Sequence, residues 1–312
     1  MRNYSCLIRT LLTSLLVLAV GNARAAMIVD FSADIGVHQT GGIVTSWDDQ
    51  SGSTPPNNAT TASSVGPLLT TTAINGRSHP VLRFDGTNFL TATPHVPVRG
   101  TLFIVFSNAV AGPTDRRVIG WEDSLNGMNG IAIIPAYTPD LLVVARNIGT
   151  VGDMLLAPPV GNMEVVTVSW GGEGITLERR LATGEVLTSP NNTNITSVSD
   201  GGFTLHIGAP GDHSGPGSTI ALPLIGDIAA LRVYDQQLPA AERASIANSL
   251  HSYWLGAGFA GFAGTPGRAD CHGKSVSALP PTVRGGLKQA AEALGFDGVA
   301  QLHQAIKAHC RD

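Results

Sequence analysis

The chain is predicted to be all-β: an antiparallel β-sandwich with one closing helix, followed by a small α-helical C-terminal unit. Three observations predict it. Short apolar runs recur between clusters of Gly, Pro, Asn, Ser and Thr, the spacing of many strands joined by turns. A single stripe with helical period follows the last of these runs. Beyond a Gly/Ala-rich stretch, two further apolar stripes lie between a pair of cysteines.

The strand signals come in order. Val81-Leu82-Arg83-Phe84 runs into the turn pair Asp85-Gly86. Leu102 to Phe106 is an unbroken β-prone run, which predicts a strand covered on both faces. Leu141 to Ala145, Val165 to Trp170, Phe203 to Ile207 and Ile228 to Tyr234 read as further strands. In the run from Val165, Val166, Val168 and Trp170 alternate with Thr167 and Ser169, which predicts a half-exposed strand. Trp47 and Trp170 sit within such patterning and are assigned to the core, while Asp48 and Asp85 are assigned to turns. Residues 51–64 and 189–202 are loops by composition. They contain Asn58-Ala59-Thr60, Asn191-Asn192-Thr193 and Asn194-Ile195-Thr196, which match the N-glycosylation acceptor pattern, a match that arises readily by chance in such loops.

The closing helix begins near Pro239, where a missing N–H costs nothing, and Ile246, Leu250 and Trp254 form its apolar stripe. In the last residues Leu287, Ala291 and Leu294 form one apolar face, and Val299, Leu302 and Ile306 another. A unit this small lacks an independent core.

The ends set compartment and boundaries. Arg2 and Arg9, an apolar run from Leu11 to Val20 and the small-x-small triplet Ala23-Arg24-Ala25 have the form of an export signal over 1–25. The run is shorter than the roughly 20 residues that span a bilayer. Cleavage after Ala25 would leave a sandwich over 26–255, a linker over 256–270 and a helical tail over 271–312, secreted or held in the cell envelope. Only Cys271 and Cys310 then remain, and one well-separated pair in an exported chain is most simply a disulfide. The pairs Cys271-His272 and His309-Cys310 also have the ligand types of a zinc site, but oxidising export favours the disulfide. Charge is uneven. Residues 26–270 hold 11 Arg against 20 Asp and Glu, a net of −9, whereas 271–312 hold 5 basic against 3 acidic residues and all three lysines, a net of +2. An acidic body argues against nucleic acid and polyanionic glycans as partners.

Four stretches resemble the laminin G-like branch of the concanavalin A-like superfamily, in that family's order. They are Val44-Thr45-Ser46-Trp47-Asp48-Asp49-Gln50-Ser51-Gly52; Asn75-Gly76 with Pro80-Val81-Leu82-Arg83-Phe84-Asp85-Gly86; Gly226-Asp227-Ile228-Ala229-Ala230-Leu231-Arg232-Val233-Tyr234-Asp235; and Leu238 to Trp254. Pro239 departs from the family's usual capping Ser or Thr. The resemblance implies a jelly roll. The tail from Cys271-His272-Gly273-Lys274 to Cys310 resembles an appendage of assorted bacterial exported proteins, with Pro280-Pro281 interrupting its first helix.

That superfamily holds lectins, adhesion modules, glycosidases and lyases, so residues must decide function. A retaining glycosidase on this fold would carry an E-x-D-x-E triplet on one strand face, and none occurs. A uronate lyase would need a basic and aromatic cluster; His206 and Arg146 are available, but the acidic body disfavours that substrate. G-x-S-x-G and H-E-x-x-H are absent. Binding groups are present: Trp121-Glu122-Asp123, Arg146-Asn147 and Asp212-His213, which suit sugar hydroxyls if they line a groove and are otherwise core and loop polarity. The resemblance adds calcium as a possible ion, with Asp227 as a ligand or simply a strand start. The leading expectation is non-catalytic binding of a neutral glycan or glycosylated surface partner. A glycan-active hydrolase or lyase and a structural or adhesive envelope part are the alternatives.

Overall fold

The computed structural model describes residues 25–61, 66–75, 77–110, 116–123, 129–137, 140–147, 150–151, 154–156, 161–198, 202–210, 222–256, 268–277, 287, 291 and 298–311. The export signal expected over 1–25, apart from Ala25, and the Asp212-His213 pair lie outside them.

The first third of the chain supplies β1 (Met27–Ser32), β2 (Val37–Thr40), β3 (Ile43–Trp47), β4 (Ala59–Thr61), β5 (Leu68–Ile74), β6 (Arg77–Asp85), β7 (Leu90–His95) and β8 (Gly100–Asn108). The middle supplies β9 (Arg116–Arg117), β10 (Ile119–Asp123), β11 (Asn129–Tyr137), β12 (Asp140–Asn147), β13 (Thr150–Val151), β14 (Met154–Leu156), β15 (Glu164–Gly171), β16 (Gly174–Leu181) and β17 (Val186–Thr188). Then come β18 (Thr204–Ile207), β19 (Leu222–Pro223), β20 (Ile225–Tyr234) and helices α1 (Ala240–Trp254), α2 (Cys271–Ser277) and α3 (Val299–Arg311).

Antiparallel pairing makes two stacked runs. One is β17-β16-β15-β8-β20, continued on the far edge of β20 by β6 and β5 at one end and by β1 at the other. The other is β2-β3-β4-β7-β18-β10-β11-β12 with β13 and β14. A bridge from Ile43 to Leu68 joins them, and β9 pairs parallel with β19. Val29, Phe31, Leu102, Ile104, Phe106, Trp47, Trp121 and Trp170 fill one continuous core between the runs. The sandwich expected from the sequence is present, with its closing helix and small helical unit.

The Trp47-to-Gly52 stretch is a structural clasp. Trp47 stacks on Phe31 at 5.1 Å and donates its indole N–H to the Ser32 carbonyl at 2.9 Å. Asp49 then accepts four hydrogen bonds: from the amides of Asp30, Ser51 and Asn57 and from the Ser51 hydroxyl, at 2.7–3.0 Å. Its own amide donates to Asn58 Oδ1 at 2.9 Å. Asp85 behaves as the turn residue expected, accepting from the Thr87 amide and hydroxyl.

Two local expectations are corrected. β15 is buried on both faces, not half-exposed, because α1 lies across its outer side and presents Ala247, Leu250 and Trp254. The stretch 51–64 is not wholly loop, since β4 inserts between β3 and β7. Pro239 does open α1, with no side-chain cap; its carbonyl accepts from the Arg243 amide instead.

The tail is closed by a Cys271–Cys310 disulfide with Cα atoms 5.7 Å apart. Ala291, Leu302 and Ile306 make its small core, and Tyr253 of α1 packs against both this cluster and the sandwich. The Tyr253 hydroxyl donates to Asp34 at 2.7 Å.

Two outcomes follow. Asp49→Ala leaves four donors facing a gap, so urea denaturation is expected to show a loss on the order of 2–4 kcal/mol; a loss below about 0.5 kcal/mol would contradict the clasp. Reduction of the disulfide releases a constraint worth about 4 kcal/mol, and hydrogen exchange is expected to accelerate in α2 and α3 while β8 and β15 stay protected.

Candidate functional site

Strand alternation sends Leu82 and Phe84 of β6 into the core and leaves Arg83 on the outer face. Its register partner on β20 is Asp227. The two form a fork: Arg83 Nε donates to Asp227 Oδ1 at 2.8 Å and Nη2 to Oδ2 at 2.9 Å. Asp227 is nearly buried and Arg83 is half-exposed, so the guanidinium covers the carboxylate and keeps its other edge toward solvent. The hydrogen bond to Asp227 raises the Arg83 pKa further above its ordinary value, against a smaller opposing effect of burial.

This pair lies in a groove of about 480 Å³ on the outer face of the first run. Thr72 of β5, Ser107 of β8, Ala109 and Asn162 add polar and small groups to its walls. At its floor Gly226 brings β20 close to β8. A Cβ there would stand 2.1 Å from the Ser107 carbonyl oxygen, so any larger residue would push the strands apart. Asn75 closes the β5–β6 turn at φ 48° and donates to the Ala182 and Leu255 carbonyls, tying that wall to the end of α1. The volume falls within the usual range of small-ligand sites.

Asp227 is the one carboxylate among the described lining residues. Glu164 begins β15 two residues after Asn162, but its side chain turns into the sandwich. There Arg179 Nε and Nη2 donate to Glu164 Oε2 at 2.7 and 2.6 Å, with both residues buried. Burial pushes the Glu164 carboxyl up to about 7, and Arg179 offsets only part of the rise. Among the described residues its Oε1 and Arg179 Nη1 have no hydrogen-bond partner.

The residues expected from sequence divide as follows. Trp121, which the sequence left open between a ligand group and the core, is fully buried, and its indole N–H donates to the Pro94 carbonyl at 2.9 Å. Glu122 and Arg146 occupy one register row of the second run, on either side of Gly130, with Asp123 and Asn147 one position beyond them at the strand ends. Each oxygen of Asp227 accepts one hydrogen bond from Arg83. Among the described residues no group of three His, Cys, Asp or Glu converges on one point. Sequence reading missed Arg83, Ser107 and Thr72 as site residues. The available signal was two opposite charges placed on strands of two family-like motifs, 144 residues apart.

No protein-family model matches the chain, and no curated protein matches it. Among solved structures it is similar to domain 4 of a GH43 extracellular arabinanase from Geobacillus stearothermophilus, solved with arabinotriose, at 14% identity and TM-score 0.46 over 72% of this chain and 98% of that one. It is also similar to Trypanosoma rangeli sialidase in complex with sialic acid, at 13% identity and TM-score 0.47 over 74% of this chain and 34% of that one. A third is the CBM40 of Ruminococcus gnavus IT-sialidase bound to α2,3-sialyllactose, at 14% identity and TM-score 0.40 over 54% and 96%. The likeness is one of fold.

Glu164 makes a pH prediction. Between its ordinary 4.5 and about 7 the folded chain keeps a proton that the unfolded chain has released. The stabilisation from this group is therefore complete below about pH 4.5 and declines as pH rises through 7. The decline is on the order of 3 kcal/mol. Urea denaturation at pH 5 and pH 8 is expected to show this fall in the parent chain and its absence in Glu164→Gln; equal slopes would refute it.

Proposed function

We propose that the chain is an exported, non-catalytic binding module of the laminin G-like kind, and that the Arg83–Asp227 groove holds a neutral, hydroxyl-rich ligand, a glycan or the glycan of a surface partner. The observation that carries this reading is the neutral fork itself. Arg83 uses Nε and one Nη on Asp227 and retains further N–H donors, while each Asp227 oxygen retains acceptor capacity. Paired donors and acceptors of zero net charge suit sugar hydroxyls, and the acidic body around them disfavours polyanions.

Among the described residues the groove holds one carboxylate, already bound by arginine, whereas most glycoside hydrolases use two carboxyl groups. Glu164 has the raised pKa of a proton donor but sits behind the sheet, bonded to Arg179. Its proton therefore has no geometric path to a ligand in the groove. The Glu122–Arg146 row of the second run is the alternative location for the same ligand class.

The test is titration calorimetry of the mature chain with arabinan, xylan, galactan and starch oligosaccharides, in calcium and in chelator, with assay of released reducing ends. Saturable binding without product is expected. Ala109→Trp, which fills the groove from its exposed rim, is expected to weaken binding at least tenfold, with unchanged folding. Arg83→Ala is expected to match it. Release of reducing ends would overturn the reading, and binding lost in Glu122→Gln/Arg146→Ala but kept in Ala109→Trp would move the site to the second run.

A further inference from the structure

Ala26 stands at the point where the chain enters the sheet. Its amide donates to Asp235 Oδ1 at 2.8 Å, and its carbonyl accepts from the Asp235 amide at 3.0 Å. One residue later Met27 pairs with Tyr234 and β1 begins. Ala26 is therefore held at both its backbone ends by one residue of the closing strand's exit. The preceding triplet Ala23-Arg24-Ala25 has the small-x-small form that an export peptidase reads.

We propose that the Ala25–Ala26 bond is the processing site, and that its hydrolysis creates an ammonium group already seated on the Asp235 carboxylate. Water adds across the amide: Ala25 leaves with a carboxylate, and the Ala26 nitrogen takes up protons to become a cation. A neutral N–H···carboxylate contact becomes a charge-assisted one at the same 2.8 Å spacing. Cleavage one residue earlier would leave a neutral amide at Asp235. Cleavage one residue later would remove both bonds. Ala25 also packs against the sandwich, so the peptidase must act on the chain before it folds.

Charge composition makes the new group distinctive. All three lysines lie in the tail, so residues 26–270 contain no other primary amine. The cation would enter a body of net charge −9. Further along the same strands Arg232 binds Asp30 at 2.9 Å, a pair that adds no net charge near the terminus.

The full chain, produced in an exporting host, is expected to yield a mature species whose intact mass and N-terminal sequence begin at Ala26. Any other start overturns the proposal. The second arm is acylation of the mature terminus by an amine-reactive ester at pH 7.5, read by peptide mapping. A free α-amine titrates near 7.7–8.0, and a carboxylate partner raises that value, so Ala26 is expected to react about threefold more slowly in the parent than in Asp235→Asn. Equal rates, with both proteins folded by circular dichroism, would refute the contact. In a chain that retains Ala25 after one added serine, reaction is expected to be independent of residue 235; dependence there would mean that Asp235 acts through folding alone.

Discussion

The arrangement depends on where β20 lies. The last strand of the sandwich runs along β8 on one side and meets β6 and then β1 on the other. It therefore joins β1 to β6 and β8, and its joins to β6 and β1 carry charge or polar locks. Asp227 binds Arg83 on β6, Arg232 binds Asp30 on β1, and Asp235 holds Ala26 just before β1. A slip of one residue would turn every side chain of β20 to the wrong face and break both ion pairs at once. Register is thus fixed by burial and charge together, and the groove inherits its geometry from that register.

The fold was largely legible in the sequence because its signals are local. The strand runs at Leu102, Val165 and Ile228, and the helix from Pro239, are each written in adjacent residues. The errors arose where a distant element covers a surface. Thr167 and Ser169 look solvent-facing until α1, some seventy residues on, lies across them. Trp121 could be read either way from sequence, and only the fold supplies the Pro94 carbonyl that takes its N–H inside the sandwich. The candidate groove was the least legible part. Arg83 and Asp227 each belong to a strand motif, and only the pairing of β6 with β20 makes them neighbours.

The two ion pairs next to the groove show how position assigns different work to the same chemistry. Arg83–Asp227 keeps the guanidinium half in water, so its charge is solvated and its spare donors stay available. Arg179–Glu164 is sealed between the sheets, where losing hydration outweighs the attraction and the acid holds its proton toward neutrality. The first pair faces solvent along one edge. The second acts on the stability of the sandwich rather than on anything outside it.

The sulfur bridge has a mechanical consequence. Cys310 lies at the end of the last helix and Cys271 at the start of the tail. Tension applied at the C-terminus passes through the bridge straight to Cys271, and the segment between the two cysteines carries none of it. The noncovalent seat of the tail on the sandwich includes the Tyr253 ring, which also packs against the helical cluster. Under load the tail would therefore undock from that seat as a closed loop before any of its helices could be drawn out.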